Sequence, residues 1–337
     1  MDPTQLCRTV PGEAENKKEE KGLAMDTILT ADGAEKKFIV IAFCILALVI
    51  AISSYLHHFR PQVLQVPDNK DISSWTMPPF EKTWIYDRMN EHERVKVLNE
   101  GIPGTDFFTL LWYEVLTIIG ACLCFIHARK YYGTTMASCF LLGSFIFTGL
   151  QESIMILTGR FWTGGGQIDP TVWGSYWFPQ HLFSFIEAPV WICLCWFIIA
   201  YSCVWVAGRI FPNLRLWFRA FIGALIAVFI DLWLDPVLTS PEHMKWIWAK
   251  GDHIGILGIP HGNFSGWFFL IFIFAILWEK YLPRFIDTYG IVKGGFSFLA
   301  MILCSNFFVF TFLIAWGAAA NTIFVTELHI PPQSWGW

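Results

Sequence analysis

The chain is short of charge. Only 15% of its 337 residues are Asp, Glu, Lys or Arg, against about 25% in a water-soluble domain, so it lacks the polar surface to face water on every side. Neither sign dominates. The 23 basic and 27 acidic residues leave a net charge of −4, which excludes the basic footprint of a nucleic-acid partner. The sequence also lacks the Gly-rich and nucleophile-elbow signatures of nucleotide-binding folds and serine hydrolases. Neither the His clusters of membrane desaturases nor the Glu-x-x-His pairs of carboxylate di-iron bundles occur, so no metal and no cofactor is expected. His243, His253 and His261 are spread along one loop, and Gly164-Gly165-Gly166 reads as a flexible external loop. Cysteine is present but implies no disulfide framework. Eight of nine (Cys44, Cys122, Cys124, Cys139, Cys193, Cys195, Cys203 and Cys304) lie in apolar runs. Residues two apart on a helix point to nearly opposite sides, so Cys122/Cys124 and Cys193/Cys195 read as packing residues rather than metal pairs.

What the chain has in quantity is apolar and aromatic. Hydrophobic residues make up 55% and aromatic residues 18%, including 18 Trp and 32 Phe, and mean hydropathy is +0.49. The apolar residues form runs at about 38–56, 107–128, 134–158, 178–206, 217–239, 265–282 and 297–325. Each approaches or exceeds the roughly 20 residues needed to cross a bilayer core. The expected fold is all-α: a polytopic transmembrane bundle of about seven spans. The first run is too far from the N-terminus and too long for a signal peptide, and reads as a retained span. Residues 1–35 read as a disordered tail, 36–330 as the transmembrane domain, 57–106 as an external loop with a helix-like stretch near 86–99, and 331–337 as an external tail. That loop reads equally as a cap on the outer mouth or as a plain connection.

Basic residues orient the spans. Lys36 and Lys37, Arg129 and Lys130, Arg209, Arg215 and Arg219, and Lys280, Arg284 and Lys293 all fall on one side of seven alternating spans. The positive-inside rule makes that side cytoplasmic and places the N-terminus there. The expected location is the cell (plasma or inner) membrane, crossed several times.

Carboxylates within spans cost roughly 2.5–3.5 kcal/mol on insertion scales and are functional candidates by default. Glu114, Glu152, Glu187 and Asp231 each lie six to nine residues inside the expected outer end of a span, about 9–14 Å below the outer surface at 1.5 Å per residue. Asp235 follows Asp231 by one turn on the same helix face. His181 is the nearest candidate counter-charge. One reading is structural: the acids pair with His or bond to Trp and Tyr. The other is a reaction or transport site, in which carboxyls without cations hold protons and donate them.

The most distinctive text runs Asp231-Leu-Trp-Leu-Asp235-Pro236-Val237, then Trp246-Ile-Trp248, Gly258-Ile259-Pro260, Asn263-Phe264 and Gly266-Trp267. It resembles the membrane carotenoid biosynthesis family that includes the hydratases of long acyclic C50 carotenoids. Glu152, Thr158-Gly159, Tyr176, Pro189, Trp196 and Tyr201 look like the same family's preceding helices, and the resemblance covers roughly residues 145–280. The first 105 residues and the last span match nothing that can be carried over. Glu187, directly before Ala188-Pro189, departs from the family pattern.

The resemblance implies hydration of a terminal alkene: an acid protonates carbon, and water adds to the tertiary cation. On that reading Asp231, Asp235, Glu152 and Glu187 are the catalytic acids, with Asp231 and Asp235 as the acid/base pair. Glu114, His181, His261 and Asn263 contact substrate or orient water, while Trp233, Trp246, Trp248 and Trp267 line a polyene channel by apolar contact and cation–π stabilisation. The partners are then the bilayer and a hydrophobic isoprenoid. A terpene cyclase or double-bond isomerase would use the same acids. A carboxylate-lined transporter and a non-catalytic lipid-binding protein are rivals of another class. Against the transporter, the sequence shows no clear internal repeat and no matched pair of broken helices.

Overall fold

The computed structural model describes residues 16–60, 80–162, 176–179, 181–248, 255–328 and 334–335. The Gly164–Gly166 run, His253, residues 1–15 and most of the C-terminal tail lie outside them. Helix α1 spans Asn16–Phe59, so helical backbone continues from the first span back over residues 16–35, part of the stretch read as disordered. Glu, Lys and Ala there are all strong helix formers.

The external segment then folds into α2 (Trp84–Arg88) and α3 (Glu91–Glu100). The expected single helix near 86–99 is two, because Asn90 caps α3 in a reciprocal box with Glu93 and so starts a new helix. Asp106 caps α4 (Phe107–Tyr132) by accepting from Thr109 N at 3.0 Å. Gly133, at φ 81°, turns the chain into α5 (Thr134–Trp162).

The span expected from residue 178 begins later. Strand β1 (Tyr176–Trp177) comes first, then a hairpin of β2 (Ser184–Phe185) with β3 (Ala188–Pro189), and α6 starts at Val190 and runs to Ile210. Pro189 is the cause: inside a helix it would remove a backbone donor and crowd the preceding turn, whereas the position just before a helix suits its fixed φ. Helix α7 (Leu216–Leu238) follows, then β4 (Ile247–Trp248), a hairpin of β5 (Gly255–Ile256) and β6 (Ile259–Pro260), and α8 (His261–Ile276). A π-helical turn at Leu277–Tyr281 leads into α9 (Leu282–Asn321). The long apolar run from His261 to Ala320 is two spans, not one, because Gly290 breaks it with φ 75° and ψ 171°. The chain doubles back so tightly that a Cβ on Gly294 would stand 2.5 Å from the Phe285 carbonyl. The protein is an all-α, multi-pass membrane bundle, with five further apolar helical stretches long enough to span among the described residues.

A repeat organises its centre, contrary to the expectation of none. Unit one is α5, β1, the β2–β3 hairpin and α6; unit two is α7, β4, the β5–β6 hairpin and α8. From β1 onward a constant offset of 71 residues relates them: Tyr176 to Ile247, Ser184 to Gly255, Pro189 to Pro260. Each hairpin turns on a bulky residue at positive φ, Ile186 (58°) and Leu257 (54°). Each helix follows a proline of the same conformation, φ −59° and ψ 139° at Pro189, φ −57° and ψ 137° at Pro260. Strands β1 and β4 pair antiparallel, Tyr176 opposite Trp248 and Trp177 opposite Ile247. Those four residues form two equivalent pairs, so the contact is self-complementary, as across a two-fold axis. The repeat escaped the sequence because little identity survives beyond Trp177/Trp248, Pro189/Pro260 and Trp196/Trp267.

Candidate active site

The acids of α7 sit at the centre of the bundle. Asp231 and Asp235 are both buried, one turn apart on one helix face as their spacing requires. Asn263, in the first turn of α8, bridges them: its Nδ2 donates to Oδ2 of Asp231 at 2.8 Å and to Oδ2 of Asp235 at 2.7 Å. The other oxygen of each carboxyl, Oδ1, is buried with no hydrogen-bond partner among the described residues. Asp235 and Glu152 are the carboxyls near enough to act on Asp231.

Glu152, from α5, is the third carboxyl of the group. Trp196 Nε1 donates to its Oε1 at 2.8 Å, and the Tyr176 hydroxyl donates to its Oε2. The aromatic surroundings come from both repeat units. Trp196 and Trp267, equivalent under the 71-residue offset, face each other with ring centroids 4.2 Å apart. Tyr176 packs on Trp248 at 4.4 Å, and Trp246 lies beside the Asp235 carboxyl. Side chains alternate along a strand. Tyr176 and Trp248 therefore turn toward the acids, while Trp177 and Ile247 turn the other way, into a cluster with Phe80, Ile85, Met89, Val97 and Ile102 of the external segment. Of the two readings of that segment, the cap is the one the packing favours: it covers the back of the strand pair whose front faces the acids.

Other sequence-nominated residues go elsewhere. Glu187 occupies the β2–β3 turn, where His57 Nε2 lies 3.7 Å from its Oε1. His181 bonds Ser184 Oγ at 2.8 Å and the Pro179 carbonyl at 2.9 Å, with its ring 5.2 Å from that of His57. Burial pushes the His181 imidazole down to about 3, with the neighbouring His57 adding to the effect. It is thus no counter-charge for the acids at neutral pH. Glu114 accepts from Phe183 N at 3.4 Å, beside the same hairpin. His57 and His58 hold that hairpin from α1, through the carbonyls of Ile186 and Leu182, each at 2.8 Å. Three helices, not four, carry these acids, because Glu187 lies in a turn, and two sets result: Asp231, Asp235 and Glu152 in one, Glu187 and Glu114 around the first hairpin in the other. Trp233 is corrected outright. It is 81% exposed, turned toward lipid on the side of α7 away from the aspartates, and lines no channel. His261 stands partly buried two residues before Asn263. Sequence reasoning gave Tyr176 and Trp196 no role at the site, although a short Tyr or Trp donor is what a buried carboxylate needs.

A family model described as carotenoid biosynthesis protein matches residues 112–330. The match reaches through the last span, beyond the 145–280 over which the motifs carry the resemblance. Searches of curated proteins and of solved structures returned no match.

Proposed function

Because the chain belongs to the carotenoid biosynthesis protein family, we propose that it acts on a long apolar isoprenoid in the bilayer, adding water across a terminal double bond of an acyclic carotenoid. The observation that carries this reading is the Asn263 bridge between Asp231 and Asp235. By holding one oxygen of each carboxyl, it leaves the other pair of oxygens to share and deliver a proton.

The reaction balances on the chain's own groups. The protonated aspartate gives its proton to the terminal carbon of the alkene, and the π electrons form the new C–H bond. A tertiary carbocation remains. Water adds its oxygen to that cation and loses a proton to the aspartate carboxylate, restoring the acid. Carboxylates in a water-poor site stabilise the cation strongly, and the faces of Trp246, Trp248 and Trp267 add cation–π attraction. On this reading Glu152, held by Trp196 and Tyr176, is the third carboxyl facing the developing cation. Only a proton and water are consumed or returned, so the proposed chemistry needs no cofactor. The enzyme would be a hydro-lyase of the cell membrane.

Two rivals remain distinguishable. A cyclase or isomerase would use the same acid but return a product of unchanged mass. The internal repeat favours a carrier more than the sequence did, since parallel repeats recur in transporters. Co-expression with a pathway making an acyclic carotenoid, followed by pigment mass spectrometry, separates them. Hydration gives a gain of one water per reacted end, lost in Asp231→Asn and Asp235→Asn. Product persisting in either variant overturns the assignment.

A further inference from the structure

The end of α7 is held from outside the bundle. Arg88, the last residue of α2, donates from Nη1 to the Thr239 carbonyl at 3.1 Å and to Thr239 Oγ1 at 3.3 Å, and from Nη2 to the Pro236 carbonyl at 3.2 Å. Thr239 in turn donates from Oγ1 to the Asp235 carbonyl at 2.7 Å, and its N–H reaches the same oxygen at 2.9 Å. A continuous chain of bonds thus runs from Arg88 through Thr239 to the backbone of Asp235.

This turn of helix needs outside support. Pro236 has no N–H, so the Leu232 carbonyl loses its usual donor one turn back, between the two aspartates. Ser240 N bonds the Val237 carbonyl instead of continuing the α ladder to Pro236, so the Pro236 carbonyl is open to Arg88. A guanidinium matches the last carbonyls of a helix in geometry and in sign. Arg88 thus reaches the acid through the backbone of α7. It comes from residues outside the family match, which begins at residue 112.

We propose that Arg88 is a positioning residue: the external cap sets the geometry of the Asp231–Asp235 pair by clamping the proline-weakened end of α7. This rests on the reading of that pair as the reacting acid. In purified full-length protein the expected result for Arg88→Met is a kcat about tenfold lower with KM within about twofold, the split of a group that places the acid rather than binds substrate. Arg88→Lys should recover part of the loss, and Thr239→Val, which keeps the shape and removes only the hydroxyl, should lower kcat by about threefold. Infrared difference spectra give a readout independent of turnover. The carboxylic C=O band that disappears in Asp235→Asn should shift or broaden in Arg88→Met and in Thr239→Val.

A wild-type band and wild-type kcat in both variants would overturn the clamp, as would a loss confined to KM. If wild-type protein adds no water to any acyclic carotenoid, the reaction reading falls, and the C=O band alone still decides the clamp. If Arg88→Met does not accumulate, Thr239→Val carries the same test.

Discussion

The indole N–H of Trp196 donates to Oε1 of Glu152 at 2.8 Å while the ring beside it lies 4.2 Å from that of Trp267. One side chain thus fixes a carboxyl and joins the two repeat units. Trp196→Phe removes the donor and keeps an aromatic ring at the contact. Leaving a buried carboxyl oxygen without its donor costs roughly 1–3 kcal/mol. Turnover should therefore fall by about five- to a hundredfold with normal protein levels. Pigment conversion per milligram of purified protein is the measurement, and unchanged conversion would remove Glu152 from the mechanism.

Asn263→Leu conserves volume and deletes the bridging amide. Both aspartates then lose a donor in a buried setting, and the expected loss of turnover is at least about a hundredfold, the range seen when a single preorganised donor is removed. Asn263→Gln should restore little, because the extra methylene moves the amide off the midpoint between Asp231 and Asp235. Single-turnover rates on a defined acyclic carotenoid would check both.

Trp233 supplies the contrasting case. It is 81% exposed, so Trp233→Leu should leave turnover within about twofold of wild type, as lipid-facing apolar exchanges usually do. A large loss would mean that the substrate approaches along the outer face of α7.

The His181 imidazole, pushed down to about 3 by burial, predicts a pH dependence with a definite sign. An unfolded histidine titrates near 6.5, so between about 6.5 and 3 the unfolded chain binds a proton that the folded chain does not. Stability is therefore unaffected by this group above about pH 6.5 and falls progressively as the pH drops toward 3. His181→Asn should flatten that limb of a plot of thermal midpoint against pH in detergent. An unchanged slope would show that His181 titrates normally.

Spacing alone places Asp231 and Asp235 on one helix face at any span boundary. Asn263 enters only through the resemblance, since the next span is expected to begin at about 265. What residue counting supplies is depth, one coordinate of three. It cannot supply the angle around the bundle, which is why Glu114 and Glu187 seemed companions of the dyad yet stand by the first hairpin. Strands of two residues leave no periodic signal, so the turning of Tyr176 toward Glu152 was invisible. Trp233 was misplaced by its company, since it lies between two buried acids but projects from the other side of their helix. The repeat had a signal after all, in the spacing Trp177, Pro189, Trp196 against Trp248, Pro260, Trp267.

That repeat bears on how such a site arises. Two identical units meeting through β1 and β4 would carry every polar residue twice, and an Asn in one would face an Asn in the other. Tying the units into one polypeptide removes that obligation: the position matching Asn263 is Ile192, and the one matching His261 is Val190. Covalent linkage lets matching positions diverge, so that one half supplies the Asn263 bridge while the other keeps an apolar side chain there. A chain severed in the short turn between Ile210 and Leu216 should still reassemble from its two pieces, whereas two copies of the same piece should pair without activity.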